Sequence, residues 1–170
     1  MKEIKITALI ASYAPEEVPA RYCDIIDAAK AATLRAYAPY SHFHVGAAIR
    51  LENGEVVCGA NQENAAFSSG TCAERSACFY ASSQYPGVPF KQIAIAAFAE
   101  PTDAEGHYLD VTEGNVPFQK QPISPCGSCR QALLEYEARH GDIEVILYGA
   151  DVVYVLPSIK SLLPLCFTEF

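Results

Sequence analysis

The sequence predicts an α/β fold: a three-layer α/β/α sandwich around one mixed sheet of five strands. Segments with helical periodicity alternate with short apolar runs typical of buried strands, which favours one sheet between two helical layers. The chain has 170 residues, a length typical of one domain, and 51% of them are hydrophobic. We therefore expect an extended arm at residues 1–19 and a single domain at 20–170.

The first predicted helix follows Pro19 and should end before Pro39. Residues 45–51 and 56–60 are strand-like runs, and Asn53-Gly54 between them is a strong hairpin signal. We expect these two strands to pair antiparallel. The helix is predicted by an apolar stripe at i, i+3 and i+4 spacing, formed by Ile25, Ile26, Ala29, Ala32, Thr33 and Ala36.

The remaining elements continue the alternation. A second helix is predicted from Cys72 to about residue 83, and residues 93–99 form a continuous apolar run typical of a strand covered on both faces. A third helix is predicted from Pro125 to about His140. Proline suits the first turn of a helix, and Gly141 after His140 is a typical helix end. Two more strands at 143–148 and 152–156 and a short helix at 159–163 complete the prediction.

Residues 100–122 interrupt this alternation. Unstructured loops of more than about 12–15 residues are uncommon in compact domains. Two alternatives stay open for the segment: a mobile flap, or local folding through residues 108–111. It is acidic, with one lysine, Lys120, against Glu100, Asp103, Glu105, Asp110 and Glu113.

The charge composition argues against a nucleic-acid partner, since 12 basic and 20 acidic residues give a net charge of −8. No apolar run is long enough for a membrane span, and charged residues occupy the N-terminus, where a signal peptide needs an apolar stretch. We expect a cytoplasmic protein. An odd number of cysteines, seven, then favours metal ligation or catalysis over disulfides.

Three cysteines lie at two predicted helix starts. Cys126 and Cys129 have i, i+3 spacing, so both sulfurs lie on one helical face, and Cys72 begins another helix. Helix N-termini favour thiolates, and thiolates bind zinc. The CxxC motif alone could also be half of a structural zinc site or a pair of buried thiols. The sequence Cys-Ala-Glu-Arg at a second helix start favours a catalytic site instead.

A catalytic zinc site uses three protein ligands and leaves a place for water. Glu74 could stand beside that open position and move protons, while Arg75 and Gln131 could donate hydrogen bonds to the thiolates. A closed structural site would require a fourth ligand. The candidates are His42, His44 and Cys58, and none of them lies at metal-ligand spacing from the three cysteines.

These residues resemble the cytidine deaminase family, in its small form whose zinc ligands are all cysteines. The resemblance extends over about residues 20–167. The matching blocks are Tyr40-Ser41-His42-Phe43-His44-Val45-Gly46-Ala47-Ala48, Asn61-Gln62-Glu63-Asn64-Ala65, Thr71-Cys72-Ala73-Glu74-Arg75, Pro125-Cys126-Gly127-Ser128-Cys129-Arg130-Gln131 and Leu162-Leu163-Pro164-Leu165-Cys166-Phe167.

The resemblance implies a deaminase-like fold and one Zn²⁺ per subunit, held by Cys72, Cys126 and Cys129. It implies hydrolytic deamination of free cytidine and deoxycytidine to uridine and deoxyuridine with release of ammonia, as in pyrimidine salvage. A zinc-bound hydroxide would be the nucleophile and Glu74 the proton shuttle. The net negative charge likewise favours a free nucleoside over a phosphorylated substrate.

The resemblance also implies substrate contacts. Asn61 and Glu63 would bind the ribose hydroxyls, Phe43 and Phe167 would pack on the pyrimidine ring, and the backbone of Ala73 would contact the base. The family implies a homotetramer with sites shared between subunits, and Phe67 lies where the family packs residues near a neighbouring subunit's site.

Two alternatives remain from the sequence. The protein could be a related zinc deaminase that acts on a nucleoside antibiotic or another aminated ring. It could instead be a non-catalytic, zinc-stabilised binding protein, in which Glu74 would have no task. The resemblance implies no role for residues 1–19 or 100–122.

Overall fold

A computed structural model describes residues 1–168 of the chain and has one mixed sheet between helical layers. The predicted α/β class is confirmed, and the strand order is β1-β6-β5-β4-β2-β3. In chain order the elements are β1 (Ala11–Tyr13), α1 (Cys23–Thr33), β2 (Phe43–Leu51), β3 (Val56–Ala60), α2 (Ala73–Gln84), β4 (Phe90–Ala99), α3 (Gly127–His140), β5 (Glu144–Tyr148) and β6 (Val153–Leu156).

The prediction of five strands is wrong, because the N-terminal arm supplies a sixth strand. Ala11, Ser12 and Tyr13 pair antiparallel with β6 through Val155, Tyr154 and Val153. Three residues are too few to show an alternating pattern, so only the long-range pairing identifies this strand.

The sheet is mixed because β4 and β5 pair in parallel, whereas the other neighbours pair antiparallel. The predicted hairpin joins β2 and β3, and Gly54 in its turn has a φ of 89°. A positive φ is accessible to glycine at little cost. The predicted short last helix is a 3₁₀ helix, Ile159–Leu162.

The two faces of the sheet build two cores. Along β2, Ala47 and Ile49 face α2 and α3, while Ala48 faces α1, as the alternation of side chains in a strand requires. Helix α1 therefore forms one outer layer, and α2 and α3 form the other.

Gly59 allows α2 to lie close to β3. A Cβ atom at Gly59 would overlap the backbone of Ala77 and lie 2.7 Å from the carbonyl oxygen of Ala73. A glycine in the strand thus sets how deeply the first turn of α2 packs against the sheet.

Helix α1 ends at Thr33, three residues before the predicted position of Ala36. The chain beyond it pairs with a distant segment instead: Tyr37 N donates to Asn61 O at 2.9 Å, and Glu63 N donates to Tyr37 O at 2.8 Å. These long-range backbone bonds override the helical periodicity.

The acidic segment 100–122 has local structure, but its turn lies at residues 102–108 and not at the predicted 108–111. Asp103 N and His107 O form a hydrogen-bonded turn, and isolated bridges pair Thr102 with Tyr108 and Phe98 with Phe118. The segment therefore packs against the end of the sheet at β4.

Within residues 1–168, no helix has both the length and the apolar character that crossing a membrane requires.

Candidate active site

Two helix N-termini bring three thiols together. Cys72 is the residue before α2, and Cys126 is the residue before α3; both have extended backbone conformations. Cys129 lies in the first turn of α3 and is fully buried. At a helix N-terminus the free N–H groups and the helix dipole stabilise negative charge, so this placement favours thiolates.

The sulfur geometry fits a zinc ion. The Sγ atoms are 3.8 Å apart for Cys72 and Cys126 and 3.5 Å apart for Cys126 and Cys129, and all three lie within 4.8 Å of one another. Tetrahedral coordination with Zn–S bonds of about 2.3 Å separates sulfur atoms by about 3.8 Å. The three cysteines therefore match zinc in both ligand chemistry and spacing.

Over residues 1–168, no fourth His, Cys, Asp or Glu joins this group. His42 and His44 bind Glu100 instead, and Cys58 Sγ lies 3.9 Å from Ala28 O on the α1 side of the sheet. A zinc ion held by these three thiols alone would keep one coordination position open, as catalytic zinc sites do.

Arg75 lies beside the thiols, and its positive charge stabilises the thiolate form of Cys72. Its Nη2 atom is 4.0 Å from Cys72 Sγ. Hydrogen bonds from Cys129, Arg75 and Cys126 lower the pKa of Cys72 to about 5. Cys129 donates a hydrogen bond to the Cys72 thiolate, and this bond together with burial raises the pKa of Cys129.

Glu74 lies in the first turn of α2, between Cys72 and Arg75, and is 3% exposed. Burial raises the pKa of Glu74, and the negative charge of Cys72 acts in the same direction. A carboxyl group with a raised pKa can both accept and donate protons near neutral pH. Glu74 and two of the thiols, those of Cys72 and Cys126, line the same cavity.

A cavity of about 540 Å³ opens in front of the cluster. Small-molecule sites occupy about 300–1,000 Å³. The wall has polar and apolar parts: Phe43, Val45, Asn61, Glu63, Ile123 and Ser124. Cys72, Cys126, Ala73 and Glu74 form its floor, so a bound molecule would lie against both the thiols and the carboxyl group.

Asn61 has a structural task that the sequence did not predict. Its Nδ2 atom donates to Phe43 O at 2.9 Å, and its Oδ1 atom accepts from Val45 N at 2.8 Å. The side chain thus holds the first residues of β2 while it lines the cavity.

Glu63 also organises the wall. Its Oε2 atom accepts hydrogen bonds from Tyr40 N at 2.9 Å and Ser41 N at 3.3 Å. The Ser41 side chain and these two amides lower the pKa of Glu63. The carboxylate is therefore ionised at the mouth of the cavity.

Of three further predicted residues, Phe167 and Gln131 lie apart from this wall, and Phe67 is part of it. Phe167 is 65% exposed and is not among the described residues that line the cavity. Gln131 Nε2 donates to Phe167 O at 2.8 Å, so its amide contacts the C-terminal segment. Phe67 lies at the rim of the cavity and is 89% exposed.

Arg130 had no role in the sequence prediction, although it directly follows Cys129. It donates to Pro125 O at 2.7 Å, Ser124 Oγ at 2.9 Å and Leu162 O at 2.9 Å. An arginine after the second cysteine was the only signal, and it does not show which distant carbonyl the side chain binds.

Comparisons with known proteins agree with this geometry. The family model described as "Cytidine and deoxycytidylate deaminase zinc-binding region" matches residues 20–143. A cytidine deaminase of Sporosarcina psychrophila is 37% identical over 146 residues, which cover 85% of this chain and 90% of that protein. A cytidine deaminase of Halalkalibacterium halodurans is 34% identical over 133 residues, covering 78% and 83%.

Solved structures are similar as well. The crystal structure of cytidine deaminase from Burkholderia pseudomallei matches with a TM-score of 0.64 and 37% identity, covering 85% of this chain and 97% of that one. Cytidine deaminase from Mycobacterium tuberculosis matches with a TM-score of 0.59 and 28% identity, covering 89% and 100%. Sequence, site geometry and fold agree, and the chain belongs to the cytidine and deoxycytidylate deaminase family of zinc-dependent deaminases.

Proposed function

We propose that the protein hydrolyses free cytidine and deoxycytidine to uridine and deoxyuridine, with release of ammonia. The observation that carries the proposal is the buried carboxyl group of Glu74 beside three clustered thiols, with Glu74, Cys72 and Cys126 lining one cavity large enough for a nucleoside. The names of the similar proteins, cytidine deaminases, support the same substrate. A free nucleoside substrate would place the enzyme in pyrimidine salvage in the cytoplasm.

Cys72, Cys126 and Cys129 would hold one Zn²⁺ per subunit. Zinc bound in this way lowers the pKa of a coordinated water and supplies a hydroxide nucleophile near neutral pH. Three thiolates leave a net negative charge on the site, which the helix N-termini and Arg75 offset.

Glu74 would move the protons. Water adds to C4 of the base, Glu74 accepts the proton that the water loses, and it delivers a proton to ring nitrogen N3. Glu74 would then carry the remaining proton of the added hydroxyl to the amine, so that the C4–N4 bond breaks, the C4 carbonyl forms and ammonia departs. The raised pKa of Glu74 suits this exchange, because a general acid and base works best when its pKa is near the working pH.

The cavity wall would orient the nucleoside. Phe43 would pack on the pyrimidine ring, the backbone of Ala73 would contact the base, and Asn61 and Glu63 would bind the ribose hydroxyls. Arg75 is the one cation among the described residues lining the cavity, and it faces Cys72. A wall without a free cation favours a nucleoside over a nucleotide, since phosphates are generally bound by Lys or Arg.

We also propose a homotetramer whose sites are shared between subunits. Phe67 leaves most of its ring in water at the rim of the cavity, and Phe79 and Tyr80 of α2 are 52% and 57% exposed. Exposed apolar patches of this kind mark association surfaces. Phe167 would then reach a pyrimidine ring only once the neighbouring subunits complete the site.

The test is ammonia release from cytidine by the zinc-loaded protein, with Glu74→Gln as the matched variant. The variant should keep its zinc and lose at least about 10²–10⁴-fold in kcat, the usual contribution of a general acid and base. Equal activity in both proteins would overturn the role of Glu74. Turnover of cytosine or a nucleoside antibiotic without turnover of cytidine would overturn the substrate assignment.

A further inference from the structure

One carboxylate joins two histidines on the far side of the cavity wall. Glu100 Oε2 is 2.8 Å from His42 Nδ1, and Glu100 Oε1 is 2.7 Å from His44 Nε2. Glu100 N also donates to His42 O at 2.9 Å. Burial alone would raise the pKa of Glu100, but the two histidine bonds outweigh it and lower the pKa, so the carboxylate is ionised at neutral pH.

The two histidines flank Phe43, which is one of the residues that line the cavity. Side chains alternate along an extended segment, so His44 projects from the face of the sheet opposite Phe43. His42 has a φ of 53°, a left-handed conformation that a residue other than glycine adopts only when its surroundings hold it. The Glu100 bond and a stacked Tyr108 ring, 3.6 Å between centroids, provide that support.

Residues 38–44, which we call the wall segment, are therefore held from two sides. On the cavity side, Glu63 accepts hydrogen bonds from Tyr40 N and Ser41 N. On the opposite side, Glu100 holds His42 and His44. Loss of either carboxylate would free one side of the segment that positions Phe43.

We propose that Glu100 is a positioning residue for the substrate-facing wall, acting through His42 and His44 on Phe43 and on the amides that bind Glu63. The inference rests on the proposed function for its effect on the substrate, and it gives the acidic segment 100–122 a task. A metal at this cluster does not fit, because the imidazoles bind different carboxylate oxygens. Over residues 1–168, three ligand atoms converge only at the cysteines.

The test compares Glu100→Ala and Glu100→Gln with the zinc-loaded wild type. Glu105→Ala is the control, since it removes one negative charge from the same segment at an exposed position. Hydrogen exchange of a peptide over residues 38–45 reports the wall segment without any substrate. A peptide over β5 reports global stability, and KM and kcat for cytidine report the consequence for the site.

Glu100→Ala should speed exchange in residues 38–45 and leave β5 unchanged. It should raise KM by about tenfold with kcat changed less than about threefold, since a displacement of about 1 Å can cost up to about 10²-fold. Glu100→Gln keeps one hydrogen bond and should recover part of the loss. Tyr108→Ala, at a half-exposed residue, should shift exchange and KM in the same direction by a smaller amount.

Unchanged exchange at residues 38–45, or a KM equal to that of Glu105→Ala, would overturn the proposal. Faster exchange in β5 as well, with no recovery in Glu100→Gln, would show a general loss of stability and would also overturn it. If the wild type does not turn over cytidine, the proposed function fails, while the exchange comparison still decides the role of Glu100.

Discussion

The side-chain amide of Asn61 is hydrogen-bonded to the backbone on both sides of His44: Nδ2 donates to Phe43 O and Oδ1 accepts from Val45 N. A residue proposed to bind ribose thus also fixes the residue proposed to pack on the base. One substitution should therefore disturb two parts of the substrate at once.

Asn61→Ala should raise KM and lower the free energy of unfolding by about 1–3 kcal/mol, because it leaves a backbone donor and acceptor without partners. Its zinc content should stay unchanged, since Asn61 does not contact the thiols. Urea unfolding, metal analysis and steady-state kinetics measure the three effects. The control is Gln62→Ala, whose side-chain amide donates to Arg35 O at 3.2 Å and not to the backbone around Phe43. A KM increase with unchanged stability would contradict the double role.

Zinc binding should release fewer than three protons per ion at pH 7. With a pKa of about 5, Cys72 is already a thiolate in the metal-free protein and has no proton to lose. As the pH falls through about 5, Cys72 gains a proton that competes with the metal, so zinc affinity should fall more steeply. Calorimetric titration in buffers of different ionisation enthalpy counts the protons.

Arg75→Gln provides the control for this count. Without the guanidinium beside Cys72, the pKa of that thiol should rise, and zinc binding should release more protons than in the wild type. An unchanged count would mean that Arg75 does not stabilise the thiolate.

Gly59→Ala should weaken zinc binding from a distance. The new methyl group would overlap the first turns of α2, and the helix would have to move together with Cys72 and Glu74. Overpacking of this kind costs about 1–3 kcal/mol. Thermal unfolding and competition with a chelator measure both effects. Gly114→Ala, where a methyl group meets open space, should leave both unchanged.

The wild-type protein should have the mass of a tetramer in multi-angle light scattering. Phe67→Asp should shift it toward smaller species, because it places a charge on the exposed ring position at the cavity rim. Leu34→Asp, on the α1 side, is the matched control and should leave the mass unchanged. A monomeric wild type would contradict the proposed assembly.

The parts of the site that the sequence predicted are local in the chain. Cys72 and Cys126 directly precede helices, and Glu74 and Cys129 lie within the first turn of each, so helix-start signals and spacing were enough to group them. The hairpin and the buried strands were predictable for the same reason.

The parts that were missed depend on contacts between distant segments. Glu100 and His42 are hydrogen-bonded although they lie 58 residues apart in the chain, and Asn61 and Phe43 lie 18 residues apart. No local sequence pattern predicts either pair.

Helix α3 begins at Gly127, two residues after the predicted Pro125, because Cys126 adopts an extended conformation there. Glu169 and Phe170, within the predicted domain of 20–170, lie outside the described residues.

The three-residue strand β1 has a consequence for handling the protein. Without β1, β6 would be the outermost strand on this side of the sheet. Strand β1 pairs with Val153–Val155 and so covers the backbone N–H and C=O groups on that edge of β6. Uncovered edges of apolar strands pair with other chains and cause aggregation. A truncation that removes the arm would therefore expose the backbone edge of β6, so purification tags and deletions should leave Ala11–Tyr13 in place.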